Sequence, residues 1–220
     1  MSTYNIYIEG NIACGKSTLI EHLKSKLGEQ IEFFQEPLEK WKDCNGSNLL
    51  QLMYEHPKKF SFHLQSFIQC TMFEIQVSKS KFPIKVTERS LLSERFVFIQ
   101  YLNDHKLISE LEFNILTKWF ELLNKLTPKV DEIIYLRTQP EEVYDHLKLR
   151  ARVEEKTVGL DYLFKLHELH ENWLVDKTFG FVNDSPVTII EQNFDQYNTT
   201  IIYDKLVDRL KAKLENVRQN

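Results

Sequence analysis

Gly10-Asn11-Ile12-Ala13-Cys14-Gly15-Lys16-Ser17 decides the fold, because it spells glycine, four residues, then Gly-Lys-Ser, the pattern of a phosphate-binding loop between a strand and a helix. Upstream, residues 3–8 are rich in β-branched and aromatic side chains and read as a short buried strand. Downstream, Thr18 lies in a first helical turn and Leu19, Ile20, Leu23 and Leu27 share one helical face. Glycines let the backbone wrap a phosphate with its N–H groups inward, and the new helix adds its positive end. Lys16 is then expected to reach the outer phosphates of a nucleoside triphosphate, and the Ser17 hydroxyl to bind Mg²⁺. The plain alternative is a glycine-rich turn that happens to precede a helix; strand, Lys-Ser pair and helix together argue against it.

The 220 residues are 42% hydrophobic and 27% charged, which suits one α/β domain spanning 1–220 with a real core. A net charge of −4 gives no cationic field to hold a nucleic acid. No apolar run reaches membrane-spanning length, and a strand begins almost at Met1, so the expectation is a soluble intracellular protein, cytoplasmic rather than mitochondrial, with no membrane or nucleic-acid partner. Cys14, Cys44 and Cys70 form neither an even set nor a Cys-x-x-Cys pair, which points to reduced thiols and no structural metal. At a helix start beside Lys16, Cys14 favours a thiolate that alkylates and that nucleotide shields. The opposing reading, a small residue filling a tight loop, predicts equal labelling with and without ATP.

Strand-like and helix-like segments alternate along the chain, the pattern of a parallel sheet wrapped by helices. A second strand at 31–34 runs into Glu36-Pro37, and proline pushes Glu36 out of helical geometry, to the strand end where open α/β sheets take ligands. Trp41 and a polar turn at Asn45-Gly46 follow. Residues 57–80 read as a long helix with Phe60, Leu64, Phe67, Ile68, Met72 and Ile75 at helical spacing and Gln65 on or beside that face; periodicity alone makes this stripe core. A third strand at 84–87 ends in Glu88-Arg89-Ser90, either a surface ion pair or a ligand site at a strand end, and a helix is expected over 91–102. Ser109 and Glu112 form a capping box opening a structural helix to about 126. A fourth strand at 130–136 leads to a helix whose end carries Lys148, Arg150 and Arg152, dense enough to suggest a lid over phosphates. His167 and His170 are three apart, where the zinc protease motif needs four, and read as helix-surface residues. A fifth strand at 187–190 and a helix over 197–214 complete the pattern.

Taken in order, Gly10 to Ser17, Glu36-Pro37-Leu38-Glu39-Lys40-Trp41, Met53-Tyr54-Glu55 to Gln65, Glu88-Arg89-Ser90 and Arg150-Ala151-Arg152-Val153-Glu154-Glu155 resemble the deoxyribonucleoside kinase family over nearly the whole chain. The likeness is greatest to its insect-type and mitochondrial thymidine kinase-like branch, with deoxycytidine and deoxyguanosine kinases slightly further off. The resemblance implies a P-loop NTPase-type five-stranded parallel sheet, a lid at about 146–158, a homodimer, and transfer of the ATP γ-phosphoryl group to a deoxynucleoside 5′-hydroxyl with Mg²⁺. By matching position it makes Glu36 the general base, Arg89 the holder of Glu36 and of developing charge, Glu88 a carboxylate facing Mg²⁺, and Lys16, Arg150 and Arg152 an electrostatic clamp. Tyr54 and Glu155 would bind the 3′-hydroxyl. Gln65 would bind the base between walls of Trp41, Ile68 and Met72, its amide serving thymine or cytosine by flipping. Asn193, Phe194 and Asp195 match the loop over the ATP adenine, although an ordinary strand-to-helix turn reads as well.

Two positions depart from the pattern. Glu94 is an acid without the arginine that normally accompanies it at the position of Met72, so it must find another partner, point to water or accept a bond from a substrate amine such as cytosine's. His146 stands where the lid usually has arginine, which predicts a weaker or pH-dependent phosphate or adenine contact. The nearest rival function, a thymidylate-type nucleoside monophosphate kinase, needs cations around its acceptor phosphate, whereas this sequence puts Glu36 there. A rival of another class, a non-catalytic kinase-like accessory subunit, has no need of Lys16, Ser17, Glu36, Glu88, Arg89 and the lid arginines.

Overall fold

Alternation along the first strand sends Ile6 and Ile8 to one side and Tyr7 and Glu9 to the other, and all four are buried, as a central strand of a sheet covered on both faces requires. The computed structural model describes residues 3–179 and 185–219. Strands β1 (Tyr4–Gly10), β2 (Glu32–Phe34), β3 (Ile84–Glu88), β4 (Glu132–Arg137) and β5 (Val187–Glu191) form one sheet in the order β2-β3-β1-β4-β5. Every pairing is parallel, so all carboxyl ends share one edge. Ile8 lies opposite Glu88 of β3 and Ile134 of β4, which sets the end of β1 beside the end of β3.

On one face, Leu19, Ile20, Leu23 and Leu27 of α1 (Lys16–Leu27) and Leu206, Val207, Leu210 and Leu214 of α10 (Gln196–Gln219) pack on Ile6 and Ile8. The other face packs Tyr7 and Tyr135 against Leu64, Ile68 and Met72 of α4 (Pro57–Val77) and Leu166 and Trp173 of α9 (Leu160–Leu174). Two short helices, α2 (Leu38–Lys42) and α3 (Leu49–Glu55), flank the expected turn at Asn45-Gly46; they are too short for periodicity to register. After β3 the chain runs through α5 (Leu91–Ser93), a π-helical segment (Glu94–Ile99) and α6 (Gln100–Asp104), where the sequence predicts one regular helix. Such widened turns recur at functional sites. Helix α7 (Glu110–Leu126) opens with the expected capping box, Ser109 Oγ accepting from Glu112 N at 3.3 Å and Glu112 Oε2 accepting from Ser109 N at 2.7 Å. Helix α8 (Pro140–Arg150) precedes a 3₁₀ turn (Val153–Glu155).

His170 corrects the surface assignment. It is wholly buried, its Nδ1 lies 2.6 Å from the Leu166 carbonyl, and its ring stacks on Tyr135 at 5.8 Å. Burial, then the Arg89 charge, holds it neutral well below the usual histidine range. Three residues earlier on α9, His167 is partly exposed. Among the described residues no helix is long and apolar enough to cross a membrane.

Candidate active site

The loop after β1 is fixed by backbone conformations only glycine adopts freely. Gly10 has φ +148° and Gly15 φ +99°; a Cβ on the first would lie 2.6 Å from the Leu136 carbonyl oxygen, and on the second 2.6 Å from Gln192 Nε2. Asn11 fastens the loop to α9, its Nδ2 donating to the Leu163 carbonyl at 2.9 Å while its Oδ1 accepts from Ile12 N at 2.8 Å. The Lys16 ammonium donates to the carbonyls of Asn11 at 2.7 Å and Gly10 at 3.3 Å, at the mouth of the loop. Cys14 is fully buried against Gly10, so the expected alkylatable thiolate gives way to the tight-loop reading.

A cavity of about 210 Å³ opens between this loop and α4, lined at one end by Ala13, Gly15, Lys16, Ser17 and Thr18. At its middle, Glu36, carried just beyond β2, forms an ion pair with Arg89, its Oε1 lying 2.8 Å from Arg89 Nε. The Arg89 side chain is nine-tenths or more buried; Nη1 donates to the Gly10 carbonyl at 3.0 Å and the guanidinium lies 4.7 Å over the Phe98 ring. Burial disfavours its charge, but Glu36, then Glu9 and Glu94, more than offset that and raise its pKa. Its backbone is left-handed at φ +59° and is held by the Arg89 N–H donating to the Ile8 carbonyl at 2.9 Å. Ser17 Oγ donates to Glu88 Oε1 at 2.8 Å. Burial, then repulsion from Glu36, pushes the Glu88 carboxyl upward, so a cation at this point is favoured. The pair of hard oxygens fits Mg²⁺.

The other end of the cavity is apolar, with Trp41 and Ile68 among its walls. Trp41 is anchored by its indole N–H donating to Thr71 Oγ1 at 2.9 Å. Gln65 and Glu94 face this space as buried side chains, and Gln65 Oε1 and Glu94 Oε2 have no hydrogen-bond partner. Glu94 therefore does not point to water. Burial, opposed by Arg89, raises its carboxyl well above the usual range. Met72, expected as a wall, is fully buried in the core and is not among the residues lining the cavity. One turn of α4 beyond Ile68, it supports the wall from behind.

The segment after α8 closes the far side. Arg150 Nη2 donates to both Glu155 oxygens at 2.6 and 2.5 Å, and Arg152 Nη1 lies 3.7 Å from Glu155 Oε1. Tyr54 borders the same space, its hydroxyl kept protonated by burial, then by the Glu155 charge. His146 Nδ1 lies 2.8 Å from the Ala13 carbonyl and its ring stacks on Phe194 at 4.1 Å. Phe194 thus reaches the site through His146. Asn193, Phe194 and Asp195 do not line the cavity themselves, and Asp195 caps α10 through Oδ1, which accepts from Asn198 N at 2.8 Å. The sequence reading missed Glu9, Phe98 and Tyr162. The two aromatics are indistinguishable from core in a pattern, but a glutamate at an inward strand position was a readable signal.

A family model described as Deoxynucleoside kinase matches residues 6–215. Thymidine kinase 2, mitochondrial, of Homo sapiens is 34% identical over 206 residues, covering 93% of this chain and 77% of that protein. Deoxyguanosine kinase, mitochondrial, of Xenopus laevis is 35% identical over 239 residues, covering 96% and 90%. Deoxycytidine kinase of Homo sapiens is 32% identical over 241 residues, covering 96% and 91%.

Proposed function

The chain belongs to the deoxynucleoside kinase family, and from that premise we infer that it is an ATP-dependent deoxynucleoside kinase of nucleotide salvage, transferring the γ-phosphoryl group to the 5′-hydroxyl. The observation that carries the reading is the Glu36–Arg89 pair, 2.8 Å across, between the phosphate loop and an apolar half-cavity. A carboxylate there repels an acceptor that already bears phosphate and suits a neutral hydroxyl. Glu36 takes the hydroxyl proton as O5′ bonds to the γ-phosphorus, and the bond to the bridging oxygen breaks with its electron pair leaving on ADP. Lys16 and the loop amides hold the donor phosphates, and Arg89 with the lid arginines Arg150 and Arg152 takes up the developing charge. Ser17 and Glu88 would hold Mg²⁺, which supplies charge neutralisation on the phosphates. Tyr54 and Glu155, which line the cavity, would bind the sugar 3′-hydroxyl, and the stacked His146 and Phe194 would face the donor base.

Pyrimidines are the favoured acceptors. Gln65 offers an acceptor and two donors to a base edge, and the unpartnered Glu94 Oε2 offers a further acceptor that an exocyclic amine satisfies. Glu94→Ala is expected to lower the ratio of deoxycytidine to thymidine kcat/KM by roughly tenfold, the worth of about one hydrogen bond. An unchanged ratio removes Glu94 from base recognition. The same assay, ATP and Mg²⁺ with each of the four natural deoxynucleosides, tests the whole reading. ATP binding with no deoxynucleoside phosphorylated would replace it with the accessory-subunit reading.

The active form is a homodimer in this reading. Helix α7 buries Leu116 and Phe120 but leaves Leu111, Ile115, Trp119, Leu122 and Leu126 exposed along its other face, from 37% to 70%. A continuous apolar stripe of that kind marks a protein contact. Trp119→Glu with Leu122→Lys is expected to halve the mass measured by light scattering, and a wild-type protein of single-chain mass at micromolar concentration overturns the assignment.

A further inference from the structure

The last three residues of β1 all hold the turn that carries Arg89. Ile8 and Gly10 do so through their carbonyls, which any residue supplies, at 2.9 and 3.0 Å. Glu9 does so through its side chain, its Oε1 accepting from Ser90 Oγ at 2.5 Å. Glu9 is fully buried in a central parallel strand, where an apolar residue costs far less to bury. Its Oε2 has no hydrogen-bond partner, and burial, opposed by the Ser90 hydroxyl, then by Arg89, the Ser93 hydroxyl and Lys16, pushes the carboxyl up to about 7. Stability alone does not call for such a group, and Glu9 is not among the residues lining the cavity.

What the carboxylate does is hold the Ser90 hydroxyl. The Ser90 Oγ has one proton and two lone pairs. With the proton directed to Glu9, the oxygen accepts from Leu92 N at 3.2 Å and from Ser93 N at 3.4 Å, capping α5. Ser93 Oγ in turn accepts from Ser90 N at 3.2 Å and donates to the Ser90 carbonyl at 3.0 Å. Every bonding direction of Ser90 is thereby used, one residue after a left-handed arginine.

We infer that Glu9 is a positioning residue for phosphoryl transfer, locking Ser90 at the start of α5 so that the preceding Arg89 is held in line with Glu36. It acts through Ser90 and the adjoining peptide and touches neither substrate.

The inference rests on the kinase reading, and the test separates the two. Glu9→Val, Glu9→Gln, Ser90→Ala and the Glu9→Val/Ser90→Ala double variant are assayed for kcat and for both KM values with ATP, Mg²⁺ and deoxynucleoside, and each is unfolded in urea. Glu9→Val is expected to lower kcat on the order of 10- to 100-fold, as small misplacements of reacting groups do, with both KM values within about twofold. Glu9→Gln, whose amide oxygen still accepts from Ser90, recovers most of kcat. Ser90→Ala matches the loss of Glu9→Val, and the double variant loses nothing further. Wild-type kcat in Glu9→Val, no rescue by Gln, or losses that multiply in the double variant each overturn the inference; if Glu9→Val does not fold, Ser90→Ala and Glu9→Gln decide it alone. A wild-type protein inactive on every deoxynucleoside instead overturns the kinase reading.

Discussion

Glu36→Gln is expected to lower kcat on the order of 10²- to 10⁴-fold, the usual worth of a positioned general base. The deoxynucleoside KM should stay close to that of the wild type. The reason lies in what the substitution keeps. Glutamine retains the shape of Glu36 and an oxygen to lie against Arg89 Nε, where the ion pair is now 2.8 Å across. It removes the capacity to take a proton from O5′. Loss that falls on kcat and kcat/KM alike marks an interaction made only in the transition state. Steady-state kinetics with saturating ATP and Mg²⁺ measure it, and a variant that keeps wild-type kcat while KM rises would reassign Glu36 to substrate binding.

Arg89→Met carries the second large effect, and it should appear in stability as well as rate. Glu36, Glu9 and Glu94 all raise the pKa of this one buried guanidinium. Taking it away leaves buried carboxyls without their cation, a change that costs about 3–5 kcal/mol when one partner of a buried pair is removed. The left-handed turn also loses the donor that ties it to the Gly10 carbonyl at 3.0 Å. Urea unfolding should show that loss, and kcat should fall on the order of 10²- to 10³-fold as developing charge goes unmet. Arg89→Lys separates the two contributions. It restores a positive charge but not the fork that reaches Glu36 and Gly10 together, so it should regain most of the stability and little of the rate. Wild-type turnover in Arg89→Lys would sink the claim that fork geometry matters.

Glu9, and the contact of Glu94 with Arg89, show what the sequence left out of the site. Glu9 lies between Ile8 and Gly10 and Glu94 between Ser93 and Arg95, and neither stretch is a local motif that points to Arg89. Their significance depends on each facing Arg89 from a different element, β1 in one case and the π-helical segment in the other. That convergence is a product of strand order, which places β1 beside β3. Likewise, periodicity assigned Ile68 and Met72 to one apolar stripe of α4, yet Ile68 lines the cavity and Met72 lies in the core behind it. One helical turn separates a wall from its support, and spacing alone does not say which is which.

The phosphate loop and the strand and helix on either side of it were legible without the structure, because glycine, lysine and serine at fixed spacing are a local chemical requirement. The sequence also placed Glu36, Glu88 and Arg89 at strand ends, since proline and the ends of apolar runs are local signals too. That His170 is buried, that Cys14 is sealed inside its loop and that Glu9 reaches Ser90 came from the packed structure alone. Those facts depend on which faces pack together. Packing is a long-range property, settled by the burial of the whole sheet rather than by any one stretch of chain.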